Sequence, residues 1–184
     1  NNSILFNERI KNINFYNKIS SLNSINNYRF EHNNNLNRQE NSNSLILSSD
    51  INFNFNNYIK PRLKIIHYQE LDRSNEIINE DSNSISFNYN NQYSDNRLFG
   101  NDLLDNSSRV VYGIENYNKI YGQAFNFKIN QSYDFKKRNN FSKKINQNSN
   151  FSDYALEMST RFNNLNFNVD IRVDENSFSR KEMN

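Results

Sequence analysis

Side chains that commonly take part in catalysis or metal binding are scarce in this chain and show no familiar spacing. The chain has no Cys, and its two His, His32 and His67, lie far apart without Asp, Glu or Cys at metal-ligand spacing around them. Glu80 and Asp81 are adjacent, and neighbouring side chains of an extended segment point in opposite directions, so they favour a solvated loop over a catalytic pair. We therefore predict a protein that is not an enzyme and that holds no metal or cofactor.

Composition excludes several other classes of protein. The net charge is +2, which gives no electrostatic case for nucleic-acid binding. The apolar runs are too short for a transmembrane helix, and the first residues lack the pattern of a signal peptide. Gly100, Gly113 and Gly122 are too scattered for a phosphate-binding loop and favour turn or strand positions. Because the chain starts at Asn1 rather than Met, we expect a fragment of a longer protein.

The abundance of Asn raises the alternative of a disordered chain. Asn supplies 43 of the 184 residues, and the mean hydropathy is −0.99, which is typical of low-complexity segments. However, the chain also has 15 Phe and 11 Tyr, together with many Ile, Leu and Val. This apolar content, and above all its placement, favours a folded protein.

The apolar residues alternate with polar ones. In the segment Leu-Asn-Phe-Asn-Val-Asp-Ile-Arg-Val, residues 165–173, every second side chain is apolar. A period of two over nine residues predicts a strand with one apolar and one polar side. The same alternation occurs in residues 45–55 (with Ile46 as the exception), 63–65, 85–89, 110–114, 125–129 and 154–162. Residues 3–32 are less regular, with strand pieces at 14–16 and 28–30.

The predicted connections alternate between short and long. Asn pairs substitute for Gly in hairpin turns, which predicts tight turns at Asn56-Asn57, Asn118-Lys119 and Asn163-Asn164. Long hydrophilic connections are predicted at residues 31–43, 70–107 and 134–152. Aromatic residues cluster near the ends of these strands: Tyr58, Tyr117, Tyr121 and Phe162 at the short turns, and Tyr68, Tyr133 and Tyr154 at the long loops.

This periodicity is typical of an outer-membrane β-barrel. Such barrels have antiparallel up-and-down strands of about 9–11 residues, short periplasmic turns, long extracellular loops and two aromatic girdles. We therefore predict an all-β fold in which residues 1–184 form part of a transmembrane barrel. A soluble β-sandwich stays open at this point, because alternation alone does not say whether the apolar side faces lipid or a protein core.

Short motifs between residue 59 and the end point to one family. They are Ile59-Lys60-Pro61-Arg62, Asn79-Glu80-Asp81-Ser82 before Ser86-Phe87, Asn96-Arg97-Leu98-Phe99-Gly100-Asn101-Asp102, Arg109-Val110-Val111-Tyr112-Gly113-Ile114, Asn130-Gln131-Ser132-Tyr133, Asn150-Phe151-Ser152-Asp153-Tyr154 and Arg172–Lys181. In this order and spacing they resemble the C-terminal barrel region of the lipopolysaccharide-assembly outer-membrane protein family LptD, also called organic-solvent-tolerance protein. The alphaproteobacterial members look most similar.

The departures from the family pattern fall mainly in the loop signature. The positions that match it are Asn96, Arg97, Gly100, Asp102, Arg109, Tyr112 and Gly113. Leu98 stands where the family has Phe, Asn101 replaces an aromatic residue, and Asp105-Asn106 replaces an acidic-Gly pair, so we expect a similar loop with different contacts. Residues 1–58 carry no matched motif.

The resemblance implies a non-enzymatic translocon component in the outer membrane of a Gram-negative bacterium. Family members receive lipopolysaccharide from a periplasmic bridge and insert it into the outer leaflet, with an LptE-like lipoprotein plugging the barrel. The lateral gate between the first and last barrel strands is expected outside this fragment. The alternatives are another outer-membrane barrel, such as a porin or receptor, and an Asn-rich soluble or adhesion segment.

Basic residues receive two roles in this interpretation. Lys136, Lys137, Arg138, Lys143 and Lys144 lie in a predicted extracellular loop, where they would contact lipopolysaccharide phosphates and acidic sugars. A solvated basic loop is the alternative. Arg62, Lys64, Lys128, Arg161 and Arg172 occupy polar positions of predicted strands and are expected to face the barrel lumen, because a charge on the lipid face costs about 2–4 kcal/mol at the midplane.

Overall fold

The computed structural model describes most of the chain. The described residues are 2–28, 38–55, 58–73, 83–84, 88–99, 105, 107–120, 122–135, 149–162 and 165–183. Eleven strands and one short helix occur among them. They are β1 (Asn2–Ile10), β2 (Ile13–Tyr28), β3 (Arg38–Phe53), β4 (Ile59–Arg73), β5 (Asn83–Ser84), α1 (Tyr89–Gln92), β6 (Leu98–Phe99), β7 (Arg109–Ile120), β8 (Gln123–Asp134), β9 (Tyr154–Phe162), β10 (Leu165–Val173) and β11 (Arg180–Met183).

Nine of these strands form one sheet in the order of the chain. The order is β1-β2-β3-β4-β7-β8-β9-β10-β11, and every neighbouring pair is antiparallel. The short strands β5 and β6 pair with each other in a separate two-stranded sheet within the β4–β7 connection. The predicted all-β, up-and-down antiparallel fold is therefore confirmed.

The strand bounds agree with the predicted alternation of short and long connections, and the predicted turn residues Asn56-Asn57 and Asn163-Asn164 lie outside the described residues. Residues 11–12, 54–58, 121–122 and 163–164 connect strands at one end of the sheet, and residues 29–37, 74–108, 135–153 and 174–179 connect them at the other. One turn was placed wrongly: Asn118 and Lys119 belong to β7, where they pair with Phe125 and Ala124. The chain turns later because Gly122 adopts a φ of +79°, which glycine reaches without steric cost.

Several strands are longer than the alternation predicts. Residues 38–43 continue β3 and residues 70–73 continue β4, although both ranges were predicted as loops. Backbone hydrogen bonds make these extensions, and they require no apolar side chain. Residues 3–32 were predicted as less regular, with strand pieces at 14–16 and 28–30. Residues 2–28 form the regular β1–β2 hairpin, in which Ile10 and Ile13 are paired on either side of the turn, and residues 29–32 lie outside the described residues.

The predicted strand at 85–89 is wrong at its described end, because Tyr89 starts helix α1. Asn88 caps this helix: its side chain accepts a hydrogen bond from the backbone N–H of Asn91, and the Asn91 side chain accepts one from the backbone N–H of Asn88. This reciprocal arrangement satisfies two amide groups that the first turn leaves free. A local cap therefore overrides a short period-two pattern.

One face of the sheet is apolar and open, and we call it the apolar face. It carries the apolar partners that the strand registers bring side by side, such as Ile114 beside Ile129 and Val169 beside Met158. Many of these side chains are exposed: Ile4, Phe6, Ile10, Ile19, Leu47, Ile65, Ile114, Phe162, Leu165 and Phe167. A contiguous apolar surface of this kind marks contact with a lipid or protein surface.

The opposite face is polar and is covered at its centre by the β4–β7 connection; we call it the covered face. Buried residues of the described chain are mostly polar or charged, including Lys64, Arg109, Ser132 and Asp134. Ile46, the exception to the alternation in β3, lies on this face and is buried. An apolar side chain is tolerated at this position of the polar face because the β4–β7 connection shields the centre of the face from solvent.

Two of the predicted girdle residues lie on the covered face. The Tyr68 hydroxyl is 2.9 Å from Ser44 Oγ, and the Tyr117 hydroxyl donates to Glu115 Oε2 at 2.6 Å. Tyr133 and Tyr154 occupy apolar-face positions in β8 and β9, as predicted. A tyrosine near a strand end is therefore assigned to a face by the parity of its position rather than by its distance from the turn.

Candidate functional site: a loop docked on the polar face

The connection between β4 and β7 folds back over the covered face. Helix α1 and the residues after it, 88–99 together with 105, 107 and 108, form what we call the docked loop. Tyr89 and Gln92 of α1 are buried. The Gln92 side chain donates to Asp153 O at 3.2 Å, and Asn130 on β8 donates to Tyr89 O at 2.7 Å. The helix is therefore held against both β8 and the start of β9.

A buried cluster of two arginines and one carboxylate closes the loop onto the sheet. Arg97 donates to both carboxylate oxygens of Asp105, at 2.5 Å from Nε and 3.2 Å from Nη2. Arg109 of β7 reaches the same carboxylate at 2.8 Å. The three side chains have at most 1% of their surface exposed. Since an isolated buried charge is very costly, these groups depend on one another.

Ser107 and Asp134 complete this cluster. Arg97 Nη2 also donates to Ser107 Oγ at 2.7 Å and lies 3.5 Å from Asp134 Oδ1 on β8. Although burial alone raises the pKa of Asp105, the guanidinium groups of Arg109 and Arg97 hold that pKa well below its usual range. Asp105 is therefore ionised throughout the physiological pH range.

A second ionic contact joins the loop to strands farther along the sheet. Asp95 accepts from Lys18 of β2 at 2.8 Å and from Lys64 of β4 at 2.7 Å, one oxygen for each ammonium group. Lys64 also donates to Tyr93 O at 2.6 Å. Burial raises the pKa of Asp95, but the two ammonium groups outweigh this effect and lower it to about 2. Together with Arg97, these contacts hold the loop across β2, β4, β7 and β8.

Aromatic rings fill the space between these ionic contacts. The ring centres of Tyr89 and Tyr93 lie 5.4 Å apart, and both rings pack with Val111 of β7 in a small buried apolar cluster. The Arg62 guanidinium lies 4.0 Å from the centre of the Tyr93 ring, at a distance typical of a cation–π contact. Burial raises the pKa of both tyrosines, so their hydroxyl groups stay protonated.

Gly113 makes room for the Tyr93 ring. A Cβ atom on Gly113 would lie 2.6 Å from the Tyr93 hydroxyl and 2.5 Å from the carbonyl oxygen of Ile129. Neither distance is compatible with a carbon atom, so the docked loop requires glycine at this position. Strand β7 therefore presents a notch where the loop approaches the sheet.

The structure brings some of the signature residues together and separates others. Asn96 accepts from the Asp105 N–H at 2.9 Å, so it lies in the same cluster as Arg97 and Arg109. Tyr112 lies on the apolar face, where its hydroxyl donates to Gln131. Gly100 and Asp102 lie outside the described residues, as do Lys136, Lys137, Arg138, Lys143 and Lys144.

Three later motifs join the same region. Ser132 N–H donates to Ser152 Oγ at 2.8 Å, and the Gln131 side chain donates to Ser152 O at 3.0 Å. Asp153 accepts from Lys181 of β11 at 2.7 Å and lies 3.5 Å from Arg172 of β10. Motifs that are distant in sequence therefore meet at the end of the sheet that carries the long connections.

All five basic residues expected on the polar side of the strands lie on the covered face: Arg62, Lys64, Lys128, Arg161 and Arg172. Several of them pair with carboxylates of neighbouring strands. Arg62 pairs with Asp50 at 2.5 Å, Lys128 with Glu157 at 2.7 Å, and Arg172 with Glu182 at 3.5 Å. Arg161, near the short turns, is exposed.

Asp153, Asp174 and Glu175 form the one described group of acidic side chains close enough to hold a cation together. The ammonium group of Lys181 already lies among them, 2.7 Å from Asp153 and 2.6 Å from Asp174. The charge of this acidic cluster is therefore balanced by the protein's own cation, Lys181.

His67 is exposed, with its Nδ1 3.1 Å from Ser108 Oγ.

Some residues of the site were not singled out by their sequence. Lys18 and Asp95 belong to no recognised motif, and they are separated by 77 positions in the chain. Tyr93 lies in a polar stretch without periodicity. These residues are identified only by their tertiary contacts, which form when the loop lies on the sheet.

A comparison with protein families matches almost the whole chain. The family model is described as LptD, LPS transport system D, and it matches residues 14–184. The chain belongs to the LptD family. The match begins upstream of the motifs quoted above, which start at residue 59. No curated protein matches the chain.

Membership of the LptD family indicates the kind of process in which this chain takes part. The family belongs to a lipopolysaccharide transport system, which favours this function over the porin, receptor and soluble-segment alternatives. Among the described residues, no helix is both long and apolar enough to cross a membrane.

Proposed function

We propose that this chain is part of an outer-membrane translocon that inserts lipopolysaccharide into the outer leaflet of a Gram-negative bacterium. It acts without catalysis, by providing a wall with two chemically different sides. The covered face lines the hydrophilic lumen through which the glycan passes. The apolar face meets the acyl chains of the membrane.

The observation that carries this proposal is the arrangement of the two faces of the sheet. A water-soluble domain buries its apolar residues, whereas here Phe6, Ile114 and Phe167 are exposed and Arg97 and Arg109 are buried. In a membrane barrel the outward side is apolar and the inward side polar. Together with the family match, this inversion supports a lipid-facing wall with a polar interior.

The proposal assigns the basic residues of the covered face to the lumen. Arg62, Lys64, Lys128, Arg161 and Arg172 then provide hydrogen-bond donors along the route of a sugar-rich, anionic molecule. The basic loop residues Lys136, Lys137, Arg138, Lys143 and Lys144 would attract lipopolysaccharide on the extracellular side.

Depletion of the full-length protein in its own organism tests the transport role. We expect newly made lipopolysaccharide to stop reaching the cell surface within the time that the protein disappears, measured by surface labelling of intact cells. A plasmid copy should restore surface labelling. Normal surface lipopolysaccharide after complete depletion would contradict the proposal.

The proposed partners are an LptE-like lipoprotein inside the barrel and the periplasmic bridge that delivers lipopolysaccharide. Affinity purification of the full-length protein from detergent-solubilised outer membranes, followed by mass spectrometry, should recover the lipoprotein together with bound lipopolysaccharide. Recovery of the protein from the soluble fraction would contradict the outer-membrane location.

A further inference from the structure

Two lysines from different strands bind a single carboxylate of the docked loop. Lys18 lies on β2 and Lys64 on β4, and Asp95 accepts from both, at 2.8 and 2.7 Å. The ion pair of Arg62 with Asp50, in contrast, joins two strands of the sheet to each other. Asp95 differs from Asp50 because it belongs to the loop and leaves when the loop moves.

The two lysines require an anion between them. Lys64 is buried, and a buried ammonium group without a counter-charge is strongly unfavourable. Lys18 is partly open to solvent, with 38% of its side chain exposed. When Asp95 departs, the ammonium groups of Lys18 and Lys64 lose the carboxylate that they share.

We propose that Lys18 and Lys64 form a binding site for an anionic group of the transported glycolipid, a phosphate or a sugar carboxylate, and that Asp95 occupies this site while the loop is docked. This inference rests on the proposed transport function and names the chemistry that this part of the wall recognises. Asp95 acts as an internal mimic of the ligand. An arriving anion takes its place, and the loop leaves the covered face.

The competition favours a ligand with more than one negative charge. Lysine binds phosphate as a compact point charge, and charge-assisted hydrogen bonds to an ionised acceptor are roughly twice as strong as neutral ones. Asp95 holds the site as a tethered competitor, at an effective concentration in about the millimolar range. A free monoanion at low concentration therefore does not displace the loop, whereas a multiply charged glycolipid held in the lumen does.

The test uses the full-length protein in nanodiscs with its lipoprotein partner. Because the present chain has no Cys, spin labels can be attached at Asn90→Cys on α1 and at Asn12→Cys in the β1–β2 turn, both exposed positions. Purified lipopolysaccharide, hydrogen-fluoride-dephosphorylated lipopolysaccharide and inorganic phosphate are the probes. The readouts are the distance between the labels and the apparent affinity for each probe.

Lipopolysaccharide should lengthen the distance between the labels in the unsubstituted chain. Asp95→Asn should raise the apparent affinity for lipopolysaccharide by about tenfold. In this variant no loop carboxylate competes with lipopolysaccharide for Lys18 and Lys64. Lys18→Gln should remove most of this gain. The matched control is Asp170→Asn on β10, which also removes a carboxylate from the covered face but not from the loop, and it should leave the affinity within about twofold.

The arms of the experiment separate the possible sources of the anion. Loss of the response on dephosphorylation assigns the site to a phosphate, and a retained response assigns it to a sugar carboxylate. An unchanged affinity in both Asp95→Asn and Lys18→Gln would overturn the site. If lipopolysaccharide still binds and reaches the cell surface in those variants, the transport role stands although the site fails.

Discussion

Gly113 shows how one residue decides whether a loop can dock. The sequence marks it only as part of a motif, and the structure gives the reason: its missing Cβ leaves room for the Tyr93 hydroxyl and the Ile129 carbonyl. Arg97 and Arg109 belong to two consecutive motifs, and the structure brings them together at Asp105. Asp134, which lies beside Arg97, and the separate pair of Lys18 with Asp95 are not recognisable in the sequence, because contacts between distant strands depend on the final register.

Replacement of Gly113 by Ala should release the docked loop. The added carbon overlaps Tyr93 and the β8 backbone, and overpacking of this kind costs about 1–3 kcal/mol. We expect much faster proteolysis of residues 88–99 and a smaller increase at the β7–β8 pair, because the added carbon also overlaps the Ile129 carbonyl. The control is Gly122→Ala, where no atom lies within 4 Å and the cost is confined to the turn's positive φ. Equal loop proteolysis in both variants would contradict the role of Gly113.

Replacement of Asp105 by Asn should have a larger effect. It leaves the guanidinium groups of Arg97 and Arg109 buried together without their shared carboxylate, and breaking a buried pair typically costs about 3–5 kcal/mol. We expect the loop to be open in most molecules. Hydrogen exchange should then show that its backbone amides have lost their protection. Protection equal to that of the unsubstituted chain would show that the cluster does not hold the loop.

The docked loop should resist mild acid. The pKa of Asp95 is about 2 when the loop is docked and has its ordinary value, near 3.8, when the loop is free. The contribution of Asp95 is therefore complete above about pH 4 and disappears as the pH falls towards 2. Label-to-label distance measured between pH 7 and pH 2 should stay constant down to about pH 4. Asp95→Asn should weaken this dependence and leave the part that comes from Asp105, whose pKa is also lowered in the docked loop. A transition near pH 6 in the unsubstituted chain would contradict the assignment.

Helix α1 illustrates what a period-two pattern predicts well and where it fails. Long alternating stretches such as residues 165–173 correctly predict both the strand and the face of each side chain, because the pattern persists over many residues. Residues 85–89 are too short for this: the cap formed by Asn88 and Asn91 outweighs them at Tyr89. The docking of the loop was not predictable, since it depends on ion pairs between segments far apart in sequence.

Removal of the cap should weaken the loop through this helix. Asn88→Ala loses the side-chain acceptor for the Asn91 N–H, which typically costs about 1 kcal/mol. We expect a modest increase in proteolysis at residues 88–93. Asn88→Asp keeps an acceptor at the same position and should behave like the unsubstituted chain. If Asn88→Ala and Asn88→Asp are equally susceptible, the cap does not stabilise the loop.

At the scale of the whole molecule, the two faces of the sheet are expected to tolerate charge differently. Phe167 is exposed on the apolar face, and Asn168 is the next residue along β10 with its side chain on the opposite face. In a bilayer, Phe167→Arg should cost about 2–4 kcal/mol if it lies near the midplane. Asn168→Arg should cost less than about 1 kcal/mol. Equal unfolding free energies for the two variants in lipid vesicles would argue against a lipid-facing side.

The central claim is that the apolar face of this sheet meets lipid and that the covered face meets water. Single cysteines placed in turn at each position of β10 in the full-length protein test it directly, since the present chain contributes no Cys. In proteoliposomes, positions 166, 168, 170 and 172 should react with a water-soluble maleimide. Fluorophores at positions 165, 167, 169, 171 and 173 should be quenched by brominated lipids. Uniform reactivity along the strand, or quenching at the even-numbered positions, would contradict the account.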